Sequence, residues 1–137
     1  MSAGGFIGVW EYEIPLRQRD LDSLGHVTGA AHMDLVVEAR SEWLVGVLNE
    51  PDPSFIVVRQ VLEFHRELRF EARRVVVGLK ATRMGAASFD VAETISSEGG
   101  LHTSSAATLV RWDRDLRQSK PLTSAERIRM TAYLHSD

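Results

Sequence analysis

The first pattern in the chain is a strict alternation of apolar and polar positions between residues 10 and 16. Aromatic or aliphatic side chains stand at every second position and are separated by two glutamates and Pro15. This period of two is typical of a β-strand that buries one face. Because proline cannot donate a hydrogen bond to a neighbouring strand, Pro15 indicates the end of the strand or an edge position.

A long helix is predicted over residues 29–49. This segment lacks proline, is rich in alanine, leucine and glutamate, and carries apolar residues on more than one face, which indicates a substantially buried helix. Thr28 is a suitable N-cap, because its hydroxyl can accept a backbone N–H of the first turn. Pro51 and Pro53 lie beyond the expected end.

The rest of the chain is mostly strand. Four segments rich in β-branched or aromatic residues are separated by glycines that favour hairpin turns, namely Gly85 and the pair Gly99 and Gly100. A polar tail then offers a short helix at about residues 123–134. The four strand segments are residues 55–70, 75–83, 88–96 and 101–112.

This order of elements predicts an α+β fold in which a curved antiparallel sheet wraps around the long central helix. An antiparallel sheet can bury one face against a helix and leave the other for solvent or a partner. The chain has 137 residues, of which 44% are hydrophobic, and that is enough for one core. Because no boundary to a second domain is evident, we expect a single domain over residues 1–137.

Charge and cysteine content exclude several classes of function. The formal net charge is −3 and the isoelectric point is near 5.9, whereas a nucleic-acid-binding domain needs a concentrated basic face. Cysteine is absent, which excludes disulfides, thiolate metal ligands and a cysteine nucleophile. No leader peptide or membrane-spanning segment is evident. We expect a cytoplasmic protein that binds neither nucleic acid nor membrane.

Candidate chemistry is concentrated in residues 19–27, directly before the long helix. The segment reads Arg-Asp-Leu-Asp-Ser-Leu-Gly-His-Val. A carboxylate held beside the free N–H groups of a helix start is a suitable catalytic pair, because the amides can polarise a carbonyl while the acid attacks it or activates water. Asp20 is better explained as a structural residue that caps the turn or pairs with Arg17 or Arg19. Gly25 serves the backbone bend.

Metal and nucleotide sites have little support in the sequence. The five histidines stand at positions 26, 32, 65, 102 and 135, and none forms a close His-x-His or His-x₃-His pair. The chain also lacks His-Glu-x-x-His, Gly-x-Gly-x-x-Gly, P-loop and Gly-x-Ser-x-Gly motifs. We therefore expect no metal and no separate cofactor.

The pattern Arg-x-Asp-x-Asp-x-x-Gly-His-Val, which begins at Arg19, and the later triplet Glu38-Ala39-Arg40 resemble the acyl-CoA thioesterases of the 4-hydroxybenzoyl-CoA thioesterase type. That resemblance implies the hotdog fold and an acyl-CoA or acyl-carrier-protein thioester as substrate. CoA would then be part of the substrate rather than a cofactor. The resemblance also implies a homodimer with active sites at the dimer interface, and a pairing of dimers into a homotetramer.

The resemblance assigns roles to individual residues. The catalytic carboxylate falls on Asp22, and the backbone N–H that polarises the thioester carbonyl falls on Gly29. Asp22 would be either a nucleophile that forms an anhydride or a base that activates water. His26 is a secondary catalytic candidate, with orientation of the loop as its alternative role. Glu38 is the runner-up base, since another hotdog branch carries its acid on the helix, and ion pairing or interface structure is the alternative for it.

The chain departs from the family pattern in two segments. Relatives carry asparagines and a tyrosine where this chain has Thr28-Gly29-Ala30-Ala31-His32, and they more often show tyrosine and proline around His65. Cationic groups would be needed for the CoA phosphates, and Arg83 lies in a turn region where hotdog proteins can contact that part of the ligand. The expected substrate-binding residues are Gly25, Val27, Thr28, His32, His65, Arg83 and Ser88.

The expected function is hydrolysis of a thioester to a free acid and a thiol. One alternative is a hotdog dehydratase or hydratase acting on a β-hydroxyacyl thioester, which would use His26 as a base together with a nearby acid. The other alternative is a non-catalytic module that binds an acyl thioester, and the missing asparagine and tyrosine favour it.

Overall fold

The computed structural model describes residues 9–134. The predicted lack of a leader concerns residues 1–8, which lie outside the described residues, as does His135. Two helices are present in the described part, α1 (Gly29–Leu48) and α2 (Ser124–Thr131), and short 3₁₀ turns occupy Gln18–Asp20 and Phe70–Ala72. The strands are β1 (Trp10–Pro15), β2 (Phe55–Phe64), β3 (Arg74–Met84), β4 (Ser88–Ser97), β5 (Gly100–Asp113) and β6 (Gln118–Ser119).

The main sheet has the strand order β1-β3-β4-β5-β2, and every pairing in it is antiparallel. The two predicted hairpins are confirmed: Gly85 lies in the turn between β3 and β4, and Gly100, at φ +105°, lies where β4 turns into β5. β1 is an edge strand and ends at Pro15, as expected for a residue that cannot complete a ladder. The predicted antiparallel sheet around one long helix is therefore confirmed.

The long helix is buried along both halves of its length. Its first half packs Leu35 and Ala39 against one core cluster that includes Val75, Val77 and Ile95. Its second half packs Trp43, which has no exposed surface, against a second cluster around Phe89 and Val91. Full burial of side chains of this size stabilises a fold by about 1.5–3 kcal/mol each. The apolar residues found on several faces of this segment are thus explained by a sheet that curves around it.

Both ends of α1 are capped. The hydroxyl of Thr28 accepts the N–H of Ala31 at 3.0 Å, so the predicted N-cap is confirmed. At the other end Asn49 adopts the left-handed conformation, with φ 53°, and its N–H donates to the Val45 carbonyl. This residue ends the helix before Pro51, because a left-handed cap satisfies a terminal carbonyl and turns the chain away.

One expectation about the strands is wrong, and one short strand was not predicted. The strand predicted over residues 55–70 ends at Phe64, because the N–H groups of His65 and Arg66 both donate to the His102 carbonyl and the chain then leaves the sheet. Leu68 is buried and its carbonyl accepts the N–H of Val27, so residues 65–69 cross over the start of α1. The sequence also gave no sign of β6, which pairs with the end of β5.

The C-terminal helix is shorter than the range of about 123–134 predicted for it, and it begins with a capping box. Thr123 accepts the N–H of Glu126, and the Glu126 carboxylate accepts the N–H of Thr123 at 2.8 Å. Within residues 9–134, neither helix has the combination of length and apolar character that crossing a membrane requires.

Candidate functional site

The loop before α1 is anchored by Asp20. This carboxylate is buried and accepts the backbone N–H of Arg17 at 3.0 Å and the Arg17 guanidinium at 3.1 Å. The carbonyl of Asp20 accepts the N–H of Thr28 at 2.9 Å. The pairing with Arg17 expected from the sequence is present, and it fixes both ends of the loop that carries the next acid.

Asp22 lies at the exposed turn of this loop. Its Oδ1 accepts the backbone N–H groups of Leu24 at 2.8 Å and His26 at 3.0 Å, while Gly25, at φ +79°, makes the bend. The hydrogen bonds from His26 and then from Leu24 lower the pKa of the Asp22 carboxyl below its usual range. Within the described chain Oδ2 has no hydrogen-bond partner. Asp22 is therefore an ionised, oriented carboxylate with one free oxygen.

Gly29 is the first residue of α1. Because Thr28 caps the helix through Ala31, the N–H of Gly29 has no acceptor among residues 9–134, as expected for the first amide of a helix. Phe64, at the end of β2, lies across this position: a Cβ on Gly29 would be 3.7 Å from the Phe64 Cζ atom. A donor amide at the positive end of a helix dipole thus lies at a residue that Phe64 contacts.

A cavity of about 520 Å³ lies between the Asp22 loop and a wall formed by Phe64 and the first residues of the crossing segment (65–69). Seven residues that the sequence singled out line it together: Asp22, His26, Val27, Thr28, Gly29, His32 and His65. Four lining residues had not been assigned to a site, namely Phe64, Arg66, Glu67 and Leu68. The only feature of the sequence that pointed to these four residues was their proximity to His65. Because the strand was predicted to continue to residue 70, the crossing of the chain over the start of α1 was not expected.

Two of the lining histidines are held by neighbours on other elements. His26 Nε2 lies 3.1 Å from Glu67 Oε2, so an imidazole on one wall of the cavity meets a carboxylate on the other. His65 Nε2 lies 2.7 Å from Ser104 Oγ on β5. These contacts connect the Asp22 loop to the crossing segment, and the crossing segment to the sheet.

His32 is the buried histidine of the cavity, with 4% of its surface exposed. Its Nδ1 lies 2.8 Å from the Thr28 carbonyl. Because a carbonyl only accepts hydrogen bonds, Nδ1 carries the proton, and burial lowers the pKa of His32 so that the ring is neutral. Its Nε2 is then an acceptor, and it has no partner within the described residues. The Phe64 ring packs edge-on against it, with 5.1 Å between ring centroids.

The remaining predicted site residues do not line this cavity. Gly25 shapes the turn behind Asp22. Glu38 is on α1, with its carboxylate 3.9 Å from the Arg17 guanidinium. Arg83 and Ser88 contact each other at 3.2 Å at the β3–β4 hairpin, and Arg83 also pairs with Asp90 at 2.8 Å. Within one chain these residues do not line the Asp22 cavity, so their expected catalytic and binding roles are not supported by their positions.

Metal ligands are not brought together in the part of the chain that the structure describes. Within residues 9–134 there is no group of three or more histidine, aspartate or glutamate side chains placed to hold an ion. The histidines at positions 26, 32 and 65 line one cavity but have separate hydrogen-bond partners.

Solved structures of similar shape belong to the thioesterase superfamily. A thioesterase from Thermus thermophilus, complexed with coenzyme A and zinc, is 26% identical, with 93% of this chain and 95% of that chain aligned at a TM-score of 0.79. A thioesterase-superfamily protein from Jannaschia is 15% identical, with coverage of 93% and 94% and a TM-score of 0.85. A 1,4-dihydroxy-2-naphthoyl-CoA thioesterase from Synechocystis is 20% identical, with coverage of 90% and 96% and a TM-score of 0.76.

These likenesses confirm the predicted hotdog fold and the resemblance to hotdog thioesterases on which that prediction rested. No family model matches the chain, and no curated protein matches it by sequence. The likeness is therefore one of three-dimensional structure across nearly the whole chain.

Proposed function

We propose that this protein is an acyl-CoA thioesterase that releases a free acid and CoA. One observation carries the proposal: Asp22, with a free carboxylate oxygen, and Gly29, with a free amide at the start of a buried helix, line the same cavity. The coenzyme A bound to the Thermus thermophilus thioesterase supports a CoA thioester as the ligand class. A carrier-protein thioester presents the same reacting group.

The chemistry follows from these two groups. The Gly29 N–H, aided by the helix dipole, would bind the thioester carbonyl oxygen as it becomes an oxyanion, and one such donor is typically worth about 10²–10³ in rate. Asp22 would either attack the carbonyl carbon to form an anhydride or take a proton from an attacking water. In the first route the thiolate leaves as the anhydride forms, and water then hydrolyses the anhydride, which frees the acid and restores Asp22. In the second route the adduct of water with the carbonyl expels the thiolate. In both routes the C–S bond breaks, water supplies the oxygen of the product acid, and the proton that water loses ends on the thiol sulfur.

The proposal also includes a second copy of the chain. β2 is an edge strand of the main sheet, and five of its apolar side chains are exposed: Ile56, Val57, Val58, Val61 and Phe64. A long apolar edge is a pairing surface. A partner along β2 would cover the cavity beside Phe64 and complete an active site at the dimer interface. Sedimentation should then give the mass of a dimer or tetramer, whereas a monomer at micromolar concentration would contradict this part.

Two further expectations stay proposals. The 4-hydroxybenzoyl-CoA type is supported by the motif at residues 19–27, although the segment from Thr28 to His32 departs from it. A cytoplasmic location is compatible with a chain that contains no cysteine.

The decisive test of hydrolysis is Asp22→Asn. Release of thiol from a panel of aliphatic and aromatic acyl-CoA substrates should fall by about 10³-fold or more in kcat/KM, because the amide can neither attack nor take a proton. Asp113→Asn is a matched control: the Asp113 carboxylate also accepts two backbone N–H groups in an exposed turn, but it lies outside the cavity. Equal activity of wild type and Asp22→Asn would sink the proposal.

A hydratase or dehydratase is the second candidate, and one contact favours it. The alternative requires a histidine base with a nearby acid, and His26 lies 3.1 Å from Glu67 across the cavity. Assay of the wild type with enoyl-CoA and β-hydroxyacyl-CoA substrates separates the two. Formation of the hydrated or dehydrated acyl-CoA, without release of thiol, would favour this candidate.

A further inference from the structure

The cavity contains a hydrogen-bond acceptor that the proposed hydrolysis does not use. The Nε2 atom of His32 is buried and carries a lone pair, because the ring proton is on Nδ1, where it is donated to Thr28. A buried polar atom without a partner is uncommon, since leaving it unpaired costs free energy that a bound donor would recover. The atom is therefore suited to receive a donor from a ligand.

His102 shows that this is not a general property of buried histidines in the fold. It has the same low exposure as His32, 4%. Its two ring nitrogens, however, lie 2.6 Å from Ser97 Oγ and 3.0 Å from the Glu67 carbonyl. Among the described residues, His102 has a partner on both ring nitrogens, whereas His32 keeps a free acceptor in the candidate active site.

The position of His32 fixes which part of a substrate it can reach. It follows Gly29 by three residues on α1, so the two residues share one face of the helix, about 5–6 Å apart at their β-carbon positions. A thioester whose carbonyl oxygen is bound by the Gly29 N–H would hold the first carbons of its acyl group beside the imidazole. Phe64 lies beside both residues: its Cζ atom would be 3.7 Å from a Cβ on Gly29, and its ring centroid is 5.1 Å from that of His32.

We propose that His32 Nε2 accepts a hydrogen bond from a hydroxyl group on the acyl chain, two or three bonds from the thioester carbonyl. The enzyme then prefers hydroxyacyl thioesters to their unsubstituted counterparts. This inference rests on the proposed thioesterase function. His32 is in this view a residue that determines specificity.

The test compares matched pairs of substrates. The ratio of kcat/KM for 3-hydroxybutyryl-CoA over butyryl-CoA, and for 2-hydroxybenzoyl-CoA over benzoyl-CoA, should favour the hydroxylated member of at least one pair by tenfold or more in the wild type. His32→Phe, which keeps the ring but removes the acceptor, should bring that ratio close to one. His32→Gln should retain part of the preference, because its amide oxygen lies near the original Nε2. Circular dichroism of each variant establishes that the fold is intact.

The outcomes separate the two proposals. If thiol is released but both wild-type ratios are close to one, or if His32→Phe slows both members of a pair equally, the hydroxyl preference is wrong. The latter result would indicate that Nε2 serves an amide of the pantetheine arm, which every CoA substrate carries. If no thiol is released from any substrate, the thioesterase proposal fails. In that case calorimetry measures the affinity of the wild type and of His32→Phe for both members of each substrate pair. If the wild type binds both members equally, the proposed role of His32 is wrong. If the wild type prefers the hydroxylated member and His32→Phe does not, the role is supported.

Discussion

Two polar clusters lie against α1, and they differ in how completely their groups are paired. The first, which we call the Arg40 cluster, consists of Arg40, Gln60, Glu93 and Ser105. Both oxygens of the buried Glu93 carboxylate accept from the Arg40 guanidinium at 2.8 Å, and Oε1 also accepts the Ser105 hydroxyl at 3.0 Å. Arg40 donates to Gln60 as well, at 2.7 Å. Only Nη1 of Arg40 is unpaired among the described atoms of this cluster.

The second cluster, at the start of α1, leaves several groups free. Asp22 Oδ2, the Gly29 N–H and His32 Nε2 have no partner in the described chain, and all three residues line one cavity. Asp22 and Gly29 are exposed, so water can pair their free groups, whereas His32 Nε2 is buried and is costly to leave unpaired. The paired cluster fastens the helix to the sheet, whereas the free groups of the second are available to a ligand. This difference distinguishes a structural polar cluster from a functional one.

The largest effect on stability should come from breaking the Arg40 cluster. Arg40→Met removes the partner of a buried carboxylate and should lower the free energy of unfolding by about 3–5 kcal/mol, because Glu93 is left as an uncompensated charge. Urea denaturation, followed by circular dichroism, measures the change.

The double variant Arg40→Met/Glu93→Leu sharpens this prediction. Replacing both charges by apolar groups of similar volume is often neutral, so much of the lost stability should return. As a surface control, Asp52→Asn removes one partner of the exposed pair with Arg114 and should cost no more than about 1 kcal/mol. A single Arg40→Met variant as stable as the wild type would show that this cluster does not hold the helix to the sheet.

The smaller predicted effect is a shift in the pH dependence of hydrolysis. The working form of Asp22 is the ionised carboxylate, so activity should be complete above its pKa and lost as the pH falls through it. Because backbone hydrogen bonds from His26 and Leu24 lower that pKa, the acid limb of kcat/KM should lie below the usual range of a carboxyl group.

The measurement is kcat/KM from neutral pH into the acid range, with circular dichroism at each pH to separate titration from unfolding. A limb near the ordinary histidine value, about 6.5, would contradict the assignment to Asp22.

Much of the architecture could be predicted because it is encoded by local periodicity. Alternation over residues 10–16 marked β1, and an uninterrupted run without proline marked α1, down to its N-cap at Thr28. The crossing segment could not be predicted in the same way. Residues 65–69 contain no proline or glycine to mark the end of a strand. The chain leaves the ladder where the N–H groups of His65 and Arg66 both donate to the His102 carbonyl, a contact distant in sequence.

For the candidate site, the sequence determined which chemical groups stand near the start of the helix, because motif spacing and helix period are local properties of the chain. The choice of Asp22 and Gly29 among these groups came from the resemblance of the motif to the hotdog thioesterases. The tertiary structure alone decided that Phe64, at the end of β2, and Glu67, in the crossing segment, form the opposite wall, since both reach the helix only through the fold. It also decided that the two buried histidines differ, because the partners of His102 come from β4 and from the crossing segment, while no such partner reaches Nε2 of His32 within the described chain. Hydrogen-bond satisfaction depends on neighbours that are distant in sequence, so no local pattern could have shown it.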